Sequence, residues 1–175
     1  MVLLVRWEWQ DKIMKTKKAF TLIEVIIVMG IVSIILGFTI INLFSSEHQN
    51  SLNTTIDTFV ADLRSEQLKA MLGDTDGTGV NGAYGVYLGT GNSPAYTLFQ
   101  GTSYSSSTDK FTINLSNNIV IAATTFPNSQ IVFNQGSGEV ANYTPGSNTI
   151  TIENPLNNTQ KTLTINQYGV IISLN

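Results

Sequence analysis

Apolar and polar residues follow three different patterns along the chain. Residues 25–44 form an unbroken run without a charged side chain. Residues 52–72 then place apolar side chains three and four positions apart, as one face of an amphipathic helix requires. After Gly73 the period changes to two, which is typical of strands with one buried face. This order predicts an α+β fold, in which a long N-terminal helix packs through its second half on an antiparallel β-domain.

The amphipathic stretch predicts which helical residues are buried. Its apolar stripe consists of Leu52, Ile56, Phe59, Val60, Leu63, Ala70 and Met71. The charged residues of this stretch are expected mostly on other faces, and they include Glu66 and Lys69, an i, i+3 pair. Gly73 directly after Leu72 is a helix stop signal.

The alternating region predicts nine strands separated by turns rich in Gly, Asn, Ser and Pro. They are Tyr84–Leu88, Ala95–Gln100, Lys110–Leu115, Ile119–Ala123, Gln130–Phe133, Glu139–Tyr143, Thr149–Glu153, Lys161–Asn166 and Val170–Ser173.

The uncharged run has the length of a membrane span. At 1.5 Å per residue, Val25–Phe44 covers roughly 30 Å, which is the thickness of a bilayer core. Five of the nine basic residues precede it within residues 1–19. The positive-inside rule then predicts a single-pass protein with a cytoplasmic N-terminus. Gly30 and Gly37 fit close helix packing, but glycine is also common in membrane helices generally.

Glu24 stands just inside the apolar stretch. A carboxylate there is costly, by about 2.5–3.5 kcal/mol at a helix centre and less near an end. Either it reaches the headgroups and has no role, or it pairs with a positive partner. The simplest such partner is a free α-amino group created by cleavage before Phe20.

The segment from Lys17 to Val25, KKAFTLIEV, followed by the apolar run, resembles the signal segment of type IV prepilins and pseudopilins. The resemblance implies cleavage between Ala19 and Phe20 by a prepilin peptidase and N-methylation of Phe20. It also implies that Glu24 neutralises the amine of a neighbouring subunit during assembly. The residue before the cut is usually Gly in that family, and here it is Ala19.

The leader and the domain boundaries follow from these features. Met14 opens MKTKKA, a short basic leader with Lys15, Lys17 and Lys18, so translation is predicted to start there. The predicted divisions are a leader over 1–19, a transmembrane and assembly helix over 20–46, an amphipathic helix over 47–73 and a β-domain over 74–175.

The C-terminal half is similar to the GspH/FimT family of minor pseudopilins and minor pilins. The similar residues lie in the helix segment 62–66 and in the following parts of the β-region: Tyr84–Leu88, Ile131–Asn134 with Gly136 and Gly138, Thr149–Asn154, and Leu163–Asn166 with Gly169 and Val170. Together the two resemblances imply a structural subunit of a type IV pilus or a type II secretion pseudopilus. The implied partners are other pilins, the peptidase and an inner-membrane assembly platform. The β-domain would be periplasmic or extracellular. A DNA-binding minor pilin for DNA uptake and a major pilin of the shaft are the alternatives.

Other chemistry has little support in the sequence. Asp74 and Asp76 begin a weak candidate calcium loop, but its twelfth position is Gly85 where an EF-hand needs Glu. There is no cysteine and one histidine, His48, so no nucleophilic enzyme site is predicted, and no cofactor. From Phe20 onward four basic residues face ten acidic ones, a net charge of 4 − 10 = −6, which disfavours nucleic acid as a partner.

Overall fold

The computed structural model describes residues 20–75, 82–115 and 118–175, without the side chains of residues 38–50. It divides into two compact units, Met1–Ile41 and Asn42–Asn175. In the described ranges one α-helix, α1 (Leu22–Leu72), precedes eight strands, which confirms the α+β prediction. The strands are β1 (Tyr84–Tyr87), β2 (Ala95–Gln100), β3 (Lys110–Asn114), β4 (Val120–Thr124), β5 (Gln130–Phe133), β6 (Thr149–Asn154), β7 (Thr159–Ile165) and β8 (Ile171–Leu174).

Helix α1 ends where the sequence predicts. The amide of Asp74 donates to the carbonyl of Lys69 at 3.0 Å, and the amide of Gly73 donates to that of Ala70 at 3.4 Å. Gly73 has a φ of 66°, so the pair of bonds forms a Schellman motif closed by a residue in the left-handed region.

The strands form two four-stranded antiparallel sheets. The first has the order β3-β2-β1-β5, and the second has the order β4-β6-β7-β8. Strand β6 alternates buried and half-buried residues, and its buried Ile150 lies opposite Leu163 of β7. The period-two pattern therefore places the same face of both strands toward the core.

The second half of α1 supplies one wall of that core. Leu52, Ile56, Phe59 and Leu63 are each at most 2% exposed, and they belong to one cluster with apolar residues of both sheets. The rings of Phe59 and Tyr96 meet edge to face, with centroids 5.1 Å apart. The predicted amphipathic stripe is confirmed at these positions.

Two residues of the helix differ from the prediction. Glu66 is only 1% exposed, because it lies three residues after Leu63 and therefore on the buried stripe. Its Oε1 lies 3.0 Å from Nζ of Lys69, which supplies a positive charge beside the buried carboxylate. Met71 was expected in the stripe but is 48% exposed, since the adjacent Ala70 takes the core position.

Eight of the nine predicted strands are present, with ends shifted by up to two residues, and one prediction is wrong. Residues 139–143 make only an isolated bridge between Val140 and Phe133. Here the side chain of Asn142, rather than a paired main chain, bonds to β5. Its amide donates to the carbonyl of Gln130 at 2.7 Å, and its oxygen accepts from the amide of Val132 at 3.2 Å.

The end of α1 is joined to two loops of the β-domain by one side chain. Nε2 of Gln67 donates to the carbonyl of Gly138 at 2.8 Å and to that of Tyr168 at 2.7 Å. At Gly169, where φ is +74°, a Cβ would lie 2.6 Å from Nε2 of Gln67. The loop therefore needs glycine at this close approach.

Candidate functional site

Only some of the predicted site residues lie within the described part of the chain. Ala19, Lys15, Lys17, Lys18 and Asp76 lie outside the described residues. Phe20, Glu24 and Asp74 lie within them.

Thr21 caps the start of α1. Its carbonyl accepts the first helical hydrogen bond from the amide of Val25 at 3.2 Å. Its Oγ1 accepts from the amide of Glu24 at 3.3 Å. Thr21 and Glu24 occupy the N-cap and N3 positions of a capping-box sequence, T-x-x-E. This local role of Thr21 is not among the predictions above, although the T-x-x-E spacing signals it.

The capping geometry places Glu24 in the first turn of the helix. Its carboxylate therefore lies at the positive end of the helix dipole, a placement worth about 0.3–1 kcal/mol at an exposed site. The main-chain amide of Glu24 is occupied by Thr21, and its side chain is exposed. The charge of Glu24 is thus displayed at the surface beside Phe20, which is 79% exposed.

Every large apolar side chain between residues 20 and 37 is exposed; we call this stretch the apolar segment. Its thirteen large apolar residues are Phe20, Leu22, Ile23, Val25, Ile26, Ile27, Val28, Met29, Ile31, Val32, Ile34, Ile35 and Leu36. A Cβ added at Gly30 or Gly37 would meet nothing within 4 Å. A helix that is apolar on all sides requires apolar surroundings that the described chain does not provide.

The apolar segment and the residues just before it match a known sequence motif. Residues 14–40 match the family model described as the prokaryotic N-terminal methylation motif. The chain carries a type IV pilin-like prepilin signal. This confirms the first resemblance found in the sequence. No curated protein and no solved structure matches the chain, so the resemblance to GspH/FimT proteins stays a prediction.

The prepilin signal covers the predicted processing residues. The match begins at Met14 and includes Ala19, Phe20 and Glu24. It ends at residue 40, three residues beyond the apolar segment. The roles of the individual residues stay predictions.

The predicted membrane span, Val25–Phe44, lies only partly within the residues whose side chains are described. Among the described residues, no helix is both long enough and apolar enough to cross a membrane. The predicted span Val25–Phe44 includes residues 38–44, whose side chains lie outside the description.

Asp74, one of the two residues of the weak candidate calcium loop, lies at the end of α1. Its main-chain carbonyl accepts from the hydroxyl of Tyr84 at 2.9 Å, and its amide closes the helix end. In residues 20–75, 82–115 and 118–175, no three His, Cys, Asp or Glu side chains are grouped as metal ligands.

Proposed function

We propose that the chain is a minor pilin or pseudopilin, a non-enzymatic structural subunit of a type IV pilus or a type II secretion pseudopilus. The observation that carries the proposal is the match to the methylation motif over residues 14–40. The exposed apolar segment supports it, because a filament core or a membrane would supply the apolar surroundings this segment needs.

Processing begins at the junction of Ala19 and Phe20. A prepilin peptidase cuts this bond on the cytoplasmic side of the inner membrane, and Phe20 is then N-methylated. The cut removes the basic leader residues Lys15, Lys17 and Lys18. The mature chain is anchored by its apolar helix and presents an acidic β-domain to the periplasm or the cell exterior.

Assembly joins the apolar segment to the helices of other pilins on an inner-membrane platform. The carboxylate of Glu24 neutralises the Phe20 amine of a neighbouring subunit. The Thr21 cap supports this role, since it holds the first turn in place without using the charge of Glu24.

The experiment separates the charge of Glu24 from its capping position. Glu24→Gln keeps a good capping-box residue but removes the charge, so it should abolish incorporation into sheared filaments. Thr21→Ala keeps the charge and removes the cap, so it should be incorporated with modest loss. Incorporation of Glu24→Gln at the wild-type level would refute charge neutralisation.

Two further measurements address the rest of the proposal. Mass spectrometry of the mature protein should find a singly methylated Phe20 as the first residue; an unprocessed N-terminus in cells that process other prepilins would refute the proposal. Quantification of sheared filaments should find the chain in small amounts relative to the main subunit. A chain that forms the bulk of the filament would be a major pilin instead.

A further inference from the structure

Two of the four outer edges of the sheets are already occupied. Along β5, Ala141 donates to Val132 at 2.7 Å, and the side chain of Asn142 bonds the neighbouring main-chain groups. Along β4, Ser93 and Ile121 exchange two hydrogen bonds of 3.0 and 2.8 Å. Neither edge has room for a further strand at these positions.

Strand β3 is different. Within the described residues it pairs with β2 alone. Leu115 donates to Pro94 at 2.8 Å and Gln100 donates to Asp109 at 3.3 Å, so the odd-numbered residues of this strand bond to β2. In an antiparallel ladder the main-chain N–H and C=O groups of the residues in between point away from the partner strand. The amides and carbonyls of Lys110, Thr112 and Asn114 therefore face the open edge.

This edge lies beside a groove whose other wall is α1. Near the end of β3 a cleft of about 250 Å³ is lined by Thr54 and Thr58 of the helix and by Ile113 and Asn114. Near its start a second cleft of about 370 Å³ is lined by Glu66 and Lys69 of the helix and by Asp109 and Phe111. The hydroxyl of Tyr96, which lines the first cleft, donates to Oδ2 of Asp62 at 2.5 Å.

The groove contains an apolar side chain without cover. Phe111 is 67% exposed, although it lies opposite the half-buried Leu98 and on the same face of the sheet. A strand added beside β3 would extend this face and cover the ring. An uncovered aromatic residue next to free main-chain groups is the combination that strand addition uses.

The charge of the groove indicates what kind of strand it accepts. Among the described residues, the second cleft is lined by the carboxylates Glu66 and Asp109 and the cation Lys69, and the carboxylate of Asp62 accepts a hydrogen bond from Tyr96 of the first cleft, a combined net charge of 1 − 3 = −2. The other nearby cation, Lys110, lies 4.2 Å over the ring of Tyr104. Tyr104 packs on Phe99, the register partner of Lys110, so this cation belongs to the opposite face.

We propose that the groove between α1 and β3 binds an extended segment of another protein, which pairs with β3 as a fifth strand. On its face toward α1 the segment carries apolar residues, one of which covers Phe111, and a Lys or Arg beside the groove carboxylates. A second copy of this chain is a poorer match, because among the described residues its open edges are β8, which has no basic residue, and β3, whose Lys110 lies on the opposite face from Phe111. The proposal does not depend on the pilin assignment.

The test measures binding of two probe peptides to the full chain in detergent micelles. The first probe is the acetylated, amidated hexapeptide TVTKTV, and the second is TVTETV; in each probe the residues at positions 2, 4 and 6 face the same side of the strand. We expect the lysine probe to bind at least about tenfold more tightly, a difference of about 1.4 kcal/mol. NMR shifts should concentrate at residues 109–115 and along the facing side of α1. Asp109→Asn should reduce the preference for the lysine probe.

A matched pair of proline variants tests the strand pairing. Thr112→Pro removes an amide from the open edge of β3, where proline is tolerated, and should weaken binding at least about tenfold. Leu174→Pro does the same at the edge of β8 and should leave binding unchanged. Its amide faces away from β7, because Asn175 and Thr162 exchange the neighbouring pair of bonds. Thermal unfolding of each variant checks that its fold is intact.

Three outcomes would overturn the proposal. One is equal binding of both probes. Another is unchanged binding to a folded Thr112→Pro variant. The third is self-association of the full chain that Thr112→Pro abolishes, which would assign the groove to a second copy.

Discussion

The large apolar side chains of residues 20–37 and those of the stripe at Leu52, Ile56, Phe59 and Leu63 belong to the same helix, α1. In the first set every large apolar side chain is at least 41% exposed. In the second set exposure is at most 2%. The difference arises from sequence, since the first stretch is apolar on every face while the second confines its apolar residues to one face. The first therefore needs surroundings from outside the described chain, and the second obtains them from the β-domain.

The largest expected difference in the free energy of unfolding is between two Ile→Ala substitutions, one in each region. Ile56 is 2% exposed and Ile34 is 63% exposed. We expect Ile56→Ala to lower the free energy of unfolding by about 2–5 kcal/mol, through lost burial and a cavity. Ile34→Ala should change it by less than about 0.5 kcal/mol. Urea denaturation of the full chain in micelles measures both. Equal losses would show that the two regions are not stabilised differently.

A pair of glycines gives the next largest effect. Gly169→Ala forces a Cβ to within 2.6 Å of Gln67 and 2.9 Å of Phe133, with φ at +74°. We expect a loss of about 1–3 kcal/mol in thermal unfolding. Gly30→Ala enters open space within a helix and should be neutral or stabilising by up to about 1 kcal/mol.

The same Gly30 variant also distinguishes the two interpretations of the membrane-segment glycines. If Gly30 permits close helix packing, Gly30→Ala should reduce filament incorporation while stability is unchanged. Normal incorporation would indicate that the glycine is incidental.

The third prediction concerns pH and Tyr96. Burial raises the pKa of Tyr96 above its usual value, and the hydrogen bond to Asp62 and the negative charge of that carboxylate raise it further. The pKa of Tyr96 in the folded state exceeds its unfolded value of about 10. The protonated Tyr96 hydroxyl therefore contributes its full stabilisation of the folded state below about pH 10, and this stabilisation is lost as pH rises toward the folded pKa.

Tyr96→Phe tests that contribution. At neutral pH it should cost about 1.5 kcal/mol, for one hydrogen bond to a charged group. Above about pH 10, wild-type stability should fall more steeply than that of the variant. Parallel slopes between about pH 9 and 11 would contradict the assignment.

The smallest effect is expected at the start of α1. Thr21→Ala should destabilise the first turn by about 1 kcal/mol. Amide hydrogen exchange at Glu24 and Val25 should become faster, while the unfolding of the β-domain is unchanged. Thr58→Ala is the matched control, because that hydroxyl donates to the carbonyl of Thr54 at 2.9 Å in mid-helix and caps no helix end. Faster exchange in the control as well would contradict a capping role for Thr21.

Sequence periodicity predicted the elements well because it depends on local geometry. The end of α1 before Gly73 and eight of the nine strands were predicted from such local patterns and are present. The failed strand at 139–143 shows the limit. Its alternation is real, but Asn142 lies where its side chain can satisfy Gln130 and Val132, and only tertiary structure shows that proximity.

The sequence by itself determined the prepilin signal, the helix that follows it and the alternating strands, because each is a pattern of neighbours along the chain. It also held the T-x-x-E signal that makes Thr21 a cap. Tertiary structure decided that the helix face carrying Glu66 is covered, and it decided the order of strands in the two sheets. Within the described part of the chain it also left the edge of β3 open next to α1. These features depend on contacts between residues far apart in sequence, which no local period specifies.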